Sequence, residues 1–247
     1  MTASPAGELA GRRILLTGGA KGLGAEVARD LSAAGAQLCI TGRDSRALER
    51  ACRALGASGA IVHSSSLDLT HTGSVERAVK SAAEAMGGVD ALVHTAAAAA
   101  HGPLATVSWE DIQRVLATNV QGALWVTKEC LPHLTAGPQS HVVFLSSLAA
   151  RSQTPSAALY AASKAAVEAM AASLREELRA LGVAVCVVSS SFVRPPKLPE
   201  GEATFLAAEA VAPGDVARAV RFALACAPSS CAAEIVLRTA RNPWQPP

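Results

Sequence analysis

The chain has 247 residues, 50% of them hydrophobic but only 3% aromatic, and a formal net charge of +2. With both signs interspersed there is no basic stripe for nucleic acid and no acidic tail. No apolar run is long and helix-compatible enough to span a bilayer, and residues 1–8 lack the apolar core of a signal peptide, so a cytoplasmic protein is expected.

The length fits one α/β domain over 1–247. Its core must come mainly from Ala, Val, Leu and Ile, which suits a parallel sheet buried under small-faced helices. Residues 12–17 read as an apolar strand, followed by the turn Thr17-Gly18-Gly19-Ala20-Lys21-Gly22-Leu23-Gly24 and a helix to about residue 34. Residues 37–41 form a second strand and 44–55 an amphipathic helix. The segments 60–66, 90–94, 141–146 and 183–189 continue the strand series with helical patterns between them, and 234–237 adds a last strand. Strands alternating with helices imply βαβ units with right-handed crossovers. The expected fold is a doubly wound parallel sheet of about seven strands with helices on both faces.

Residues 189–213, rich in Ser, Pro and Gly, follow a strand end, where open α/β sheets bind ligands. They read as a substrate flap, apolar at Phe192, Leu198, Phe205 and Leu206 and cationic at Arg194 and Lys197. Residues 241–247 read as an irregular tail. None of the six cysteines forms a Cys-x-x-Cys pair and no histidine cluster offers metal-ligand spacing, so reduced packing thiols and no metal are expected.

The glycine turn between first strand and first helix is suited to a phosphate. Glycine lets the backbone turn sharply and approach a pyrophosphate, and the helix N-terminus presents free N–H groups to it. Gly18, Gly22 and Gly24 are therefore candidate dinucleotide-binding residues. The second strand ends in Thr41-Gly42-Arg43, with glycine where an NAD site places an acid. Arg43 suits a 2′-phosphate and Lys21 is placed to reach the same group, so NADP(H) is expected. In the alternative, both are solvated cations and Asp44 is a displaced acid.

Tyr160, the only tyrosine, stands four residues before Lys164 in a helical pattern over 156–179. That spacing puts both on one helix face. A nearby ammonium is expected to lower the phenol's pKa from about 10 and fit it for proton transfer to or from a carbonyl oxygen. Ser147, near the end of a predicted strand, can polarise that oxygen. Asn119, interior to a helical pattern, is placed to disturb it and hold a water on a proton path.

Together these motifs resemble the short-chain dehydrogenase/reductase superfamily in its shorter, single-domain form, from about Gly11 to Leu237. The turn matches its Thr-Gly-x-x-x-Gly-x-Gly pattern, and Asn119, Ser147, Tyr160 and Lys164 match its catalytic tetrad. The resemblance implies a Rossmann-type fold, Tyr160 as general acid/base, Ser147 positioning the carbonyl, Lys164 binding the nicotinamide ribose, and Asn119 anchoring a relay water. It places Asp68 at the adenine and Leu23, Leu69, Ala96 and Val193 against the cofactor. It also implies a homodimer or homotetramer acting on a small-molecule carbonyl, with ketoreductases among the similar enzymes. Three segments depart from the pattern: His94-Thr95-Ala96-Ala97, Ser190-Ser191, and Pro195. They leave a second reading open, a dinucleotide-binding regulatory or scaffold protein that no longer catalyses. His94 and His101 are expected to pack rather than react.

Overall fold

A computed structural model describes residues 7–57, 62–136, 139–152, 155–195 and 210–239. Seven strands form one sheet in the order β3-β2-β1-β4-β5-β6-β7, every neighbouring pair parallel. They are β1 (Arg13–Thr17), β2 (Gln37–Gly42), β3 (Val62–Ser66), β4 (Ala91–His94), β5 (Ser140–Ser147), β6 (Val183–Ser190) and β7 (Glu234–Leu237). The helices are α1 (Gly22–Ala33), α2 (Ser45–Gly56), α3 (Thr72–Met86), α4 (Trp109–Leu116), α5 (Gly122–Leu134), α6 (Ala158–Arg179) and α7 (Pro213–Ala225). This is the expected Rossmann-type architecture, with predicted ends displaced by a residue or two, where fraying makes local preference weakest.

Side-chain alternation along the strands divides the core into two layers. Ile14 and Leu16 of β1 pack with Val27 and Leu31 of α1, Leu48 of α2 and Val220 of α7. Leu15, pointing the other way, packs with Val79 of α3, Val126 of α5 and Val167 of α6. Central strands such as β5 are buried along nearly their whole length, as strands covered on both faces must be. The edge strands β3 and β7 are partly exposed and more polar or shorter.

The chain reverses its winding between β1 and β4, which are sheet neighbours. At such a switch point the connections after the two strands leave in opposite directions and open a crevice. Gly122 lets α5 close on that end of the sheet, since an added Cβ would stand 2.6 Å from the Leu69 Cβ. At the opposite end, Asp90 binds the Arg13 backbone N–H and guanidinium and ties β1 to β4.

Of the expected flap, 189–213, only the two ends are described. They are joined by a parallel bridge between Val193 and Val211. Leu198, Phe205, Leu206 and Lys197, and the tail 241–247, lie outside the described residues. The six cysteines are free. Burial pushes the Cys39 and Cys186 thiols up to about 12, so both are inert at neutral pH. Among the described residues, no helix is long and apolar enough to cross a membrane and no His/Cys/Asp/Glu group is set to hold a metal.

Candidate active site

Thr17 connects the glycine turn to the loop after β4. Its hydroxyl accepts from the Ala96 N–H at 3.3 Å and stands 3.0 Å from His94 Nδ1, while its carbonyl accepts from Thr95 Oγ1 at 2.5 Å. Gly18 and Gly19 N–H both donate to Thr41 O of β2, at 2.9 and 3.2 Å. Gly18, at φ 74°, comes so near the β4 loop that a Cβ would lie 2.9 Å from Ala96 Cα. His94 is a packing side chain, as expected. Burial, with the Lys164 charge second, pushes its pKa down to about 3 and keeps the ring neutral. The bracing by Thr17 and Thr95 was missed in sequence, where two threonines at strand ends carry no distinguishing signal.

A cleft of about 780 Å³ opens over this turn. It brings together most of the predicted cofactor residues: Gly18, Lys21, Leu23, Gly24, Arg43, Asp68, Leu69 and Ala96. Gly22 belongs to the same turn, at φ 54°, and an added Cβ there would meet nothing within 4 Å. Val193 does not line this cleft; it lies at the flap's base beyond β6. A larger groove of about 950 Å³ runs between α1 and α2 and meets the cleft at Ala20 and Lys21.

These residues fit a dinucleotide. Lys21, the N-cap of α1, makes no side-chain capping bond, which leaves first-turn N–H groups for an anion. Asp68 is fixed at the end of β3, its Oδ1 accepting from Thr70 N–H and Oγ1 at 2.9 and 2.7 Å. The Thr70 N–H, the largest influence, holds its carboxyl below the usual range. Lys21, expected to reach the 2′-phosphate, is paired with Asp44 at 2.6 Å.

The predicted tetrad gathers at the end of β5. Ser147 caps the short 3₁₀ turn Leu148–Ala150, its Oγ accepting from Ala149 N–H at 3.2 Å. Tyr160 projects from the first turn of α6, on the Ser147 side of the site. Lys164, one turn on, is 5% exposed, and its Nζ donates to Leu145 O at 2.9 Å and stands 5.8 Å from the Tyr160 ring centroid. The His101 ring rests 5.5 Å from that of Tyr160. Its neighbour Gly102 donates its N–H to Ser156 O at 2.8 Å, and Ser156 takes φ 63°, an uncommon conformation for a side-chain-bearing residue.

One expectation needs correcting here. The Lys164 ammonium was expected to lower the Tyr160 pKa. Burial dominates instead and raises it, only partly offset by the Ser147 side chain. Lys164 is spent on a carbonyl, and its own pKa is pushed down to about 8 by burial. The phenol is therefore held protonated, in the form a general acid needs.

Asn119 does disturb its helix. Residues Ala117–Gln121 form a π-helical segment between α4 and α5. Its side chain is fully committed to protein partners. Oδ1 accepts from Ala98 N–H at 2.7 Å, and Nδ2 donates to Ala98 O at 2.8 Å and to Ser163 Oγ at 3.0 Å. Ser163 passes the connection to Tyr160 O at 2.7 Å. Asn119 thus locks the β4 loop to the helix carrying the tyrosine.

A doubly wound sheet with a glycine turn at its switch point places the chain among nucleotide-binding Rossmann-type proteins. More narrowly, it belongs to the short chain dehydrogenase family, whose pattern it matches over residues 12–202. An uncharacterised oxidoreductase of Staphylococcus saprophyticus is 31% identical over 218 residues, covering 88% of this chain and 92% of the relative. A Burkholderia cenocepacia short chain dehydrogenase, solved in complex with NADP, superposes with TM-score 0.85 at 28% identity, over 94% of this chain and 98% of its own. A variant of actinorhodin polyketide ketoreductase solved with NADPH superposes at 0.86 with 25% identity, over 95% and 98%.

Proposed function

We propose that the chain reduces a ketone or aldehyde to an alcohol, reversibly, with NADP(H) as cofactor and Tyr160 as the proton-transferring residue. The observation that carries this reading is the gathering of Ser147, Tyr160 and Lys164 at the end of β5, with Ser147 Oγ fixed on Ala149 N–H and Lys164 Nζ held on Leu145 O, 5.8 Å from the Tyr160 ring centroid. The NADP and NADPH complexes of two similar structures support the cofactor, as do Lys21 and Arg43 on the rim of the cleft. Bound NADPH supplies the hydride to the carbonyl carbon. Tyr160 donates the proton to the carbonyl oxygen, Ser147 orients that oxygen by hydrogen bonding, and Lys164 meets the nicotinamide ribose. The bulge around Asn119 leaves the regular helical ladder, so its backbone, rather than the committed side chain, is the part to hold a relay water. Trp109, Leu116 and Leu124 expose a row of apolar side chains along α4 and α5, which supports pairing of chains through those helices.

Tyr160→Phe removes one oxygen from a packed ring, and its NADPH affinity should equal the wild type's. Turnover over a panel of ketones, quinones and β-ketoacyl thioesters should fall about 10²–10⁴-fold, the usual worth of a positioned general acid. Undiminished turnover in Tyr160→Phe would refute the mechanism. NADPH binding with no turnover by the wild type would favour the non-catalytic reading, which the Ala97 methyl in the cleft supports.

A further inference from the structure

We infer that Asp44 is a specificity-determining residue of the cofactor cleft, an internal competitor of the cofactor's 2′-phosphate for Lys21. This rests on the reading above that Lys21 and Arg43 are the cations that meet that phosphate. Lys21, at the N-cap of α1, crosses to Asp44, at the N-cap of α2, with Nζ to Oδ2 at 2.6 Å. Both side chains are well exposed, at 65% and 48%, and an exposed pair of this kind adds little to fold stability. Its place gives it another consequence, because both residues line the cleft beside Gly42 and Arg43.

Asp44 cannot simply withdraw when a phosphate arrives. Its other oxygen, Oδ1, caps α2 by accepting from Ala47 N–H at 3.0 Å, which fixes the carboxylate at the rim. Arg43 and the Asp68 carboxylate line the same cleft. The cleft lining carries three cations, Lys21, Arg43 and Arg114, and two carboxylates, Asp44 and Asp68, with Arg114 paired to Asp111 outside it. A 2′-phosphate must take Lys21 from Asp44 and then remain beside a carboxylate of like charge, whereas a 2′-hydroxyl faces no such competition. Asp44 therefore narrows the preference for the phosphorylated cofactor that Lys21 and Arg43 create.

The test is calorimetric titration of the full-length protein with adenosine 2′,5′-diphosphate and with adenosine 5′-diphosphate, probes that differ at the 2′ position and need no turnover. Asp44→Asn is the chosen variant, because asparagine caps a helix as well as aspartate does while removing the charge. It should bind 2′,5′-diphosphate about tenfold more tightly, or about 1.4 kcal/mol, with 5′-diphosphate affinity unchanged. The ratio of the two affinities should also depend less on Lys21 being released. An unchanged or reduced ratio in Asp44→Asn overturns the inference. A fall in 5′-diphosphate affinity would show Asp44 holding the ribose hydroxyl instead, which also overturns it. Lys21→Met separates this from the cofactor reading. If it weakens 2′,5′-diphosphate binding while Asp44→Asn changes nothing, the cations stand as proposed and only the competition fails. If neither variant alters the ratio, both fail.

Discussion

Lys164 is a buried cation whose cost to the fold can be worked out. It is 5% exposed, and burial lowers its pKa from 10.5 to about 8, with Glu168 opposing the shift. A displacement of that size is worth roughly 3 kcal/mol at about 1.36 kcal/mol per unit. The sign follows from proton counting. Below about pH 8 the lysine is charged in both folded and unfolded chains, and the folded state carries the whole penalty. Between about 8 and 10.5 the unfolded chain holds the extra proton, so wild-type stability rises with pH until the penalty is gone. Lys164→Met keeps most of the stem volume and removes the charge. It loses the hydrogen bond to Leu145 O, worth about 1 kcal/mol. Glu168 keeps Arg151 and Ser189 as partners.

The free variant should accordingly be about 2 kcal/mol more stable than wild type at neutral pH, a rise of roughly 4–8 °C in Tm for a chain of this size. That advantage should shrink to near zero by about pH 9.5 as the wild type sheds its proton. Urea unfolding of the cofactor-free protein, followed by far-UV circular dichroism across this range, reads both effects. A variant less stable than wild type at neutral pH, or one whose advantage does not change with pH, would refute the argument. Turnover should be lost in the same variant.

Glycine substitutions in the phosphate turn should separate by environment. Gly18→Ala combines a φ of 74° with a Cβ 2.9 Å from Ala96 Cα, and urea titration should show a loss of about 3 kcal/mol from left-handed strain plus overpacking. Gly22→Ala, at φ 54° but with open space around the new methyl, should lose only about 1 kcal/mol, while NADPH binding by fluorescence titration falls sharply. Asn119→Ala strips partners from Ala98 N–H, Ala98 O and Ser163 Oγ and should cost about 3 kcal/mol in chemical denaturation. Asn119→Ala folding as stably as wild type would show that the loop is held by other contacts.

The sheet was legible because its residues obey a local rule. Strands β1, β4, β5 and β6 are short apolar runs rich in Val, Leu and Ile, and the helices between them have one apolar face. The cofactor turn and the Tyr160–Lys164 pair were legible for a similar reason, since a strand-glycine-helix junction and an i, i+4 spacing are fixed by nearby sequence. What escaped was whatever depends on which partner a side chain finds across the fold. Lys21 finds Asp44 from 23 residues away, and Lys164 finds Leu145 O from 19. Asn119 finds Ala98 because the π segment rotates it toward the β4 loop. Sequence supplied the right chemical groups but not their commitments or their burial, and burial decides that the phenol is raised rather than lowered.

Local costs fall at both ends of the strands. At the C-terminal ends lie a desolvated lysine and a serine held at φ 63°. At the other end, Asp90 satisfies Arg13 through both backbone and side chain, and Arg221 of α7 reaches Asp30 of α1 and Glu8, but burial desolvates Arg12 and His141 and leaves Arg12 Nε, Ser140 Oγ and His141 Nε2 without a protein partner. Strain of this kind persists only where surrounding structure over-determines it, and here the fully buried central strands and the Asn119–Ser163 lock provide that restraint. The costs at the C-terminal ends fall on groups of the proposed site, Lys164 among them, whereas those at Arg12 and His141 do not. Substitutions that relieve the C-terminal costs should therefore stabilise the fold and impair function together, whereas stabilising changes at the N-terminal ends of the strands should leave turnover intact.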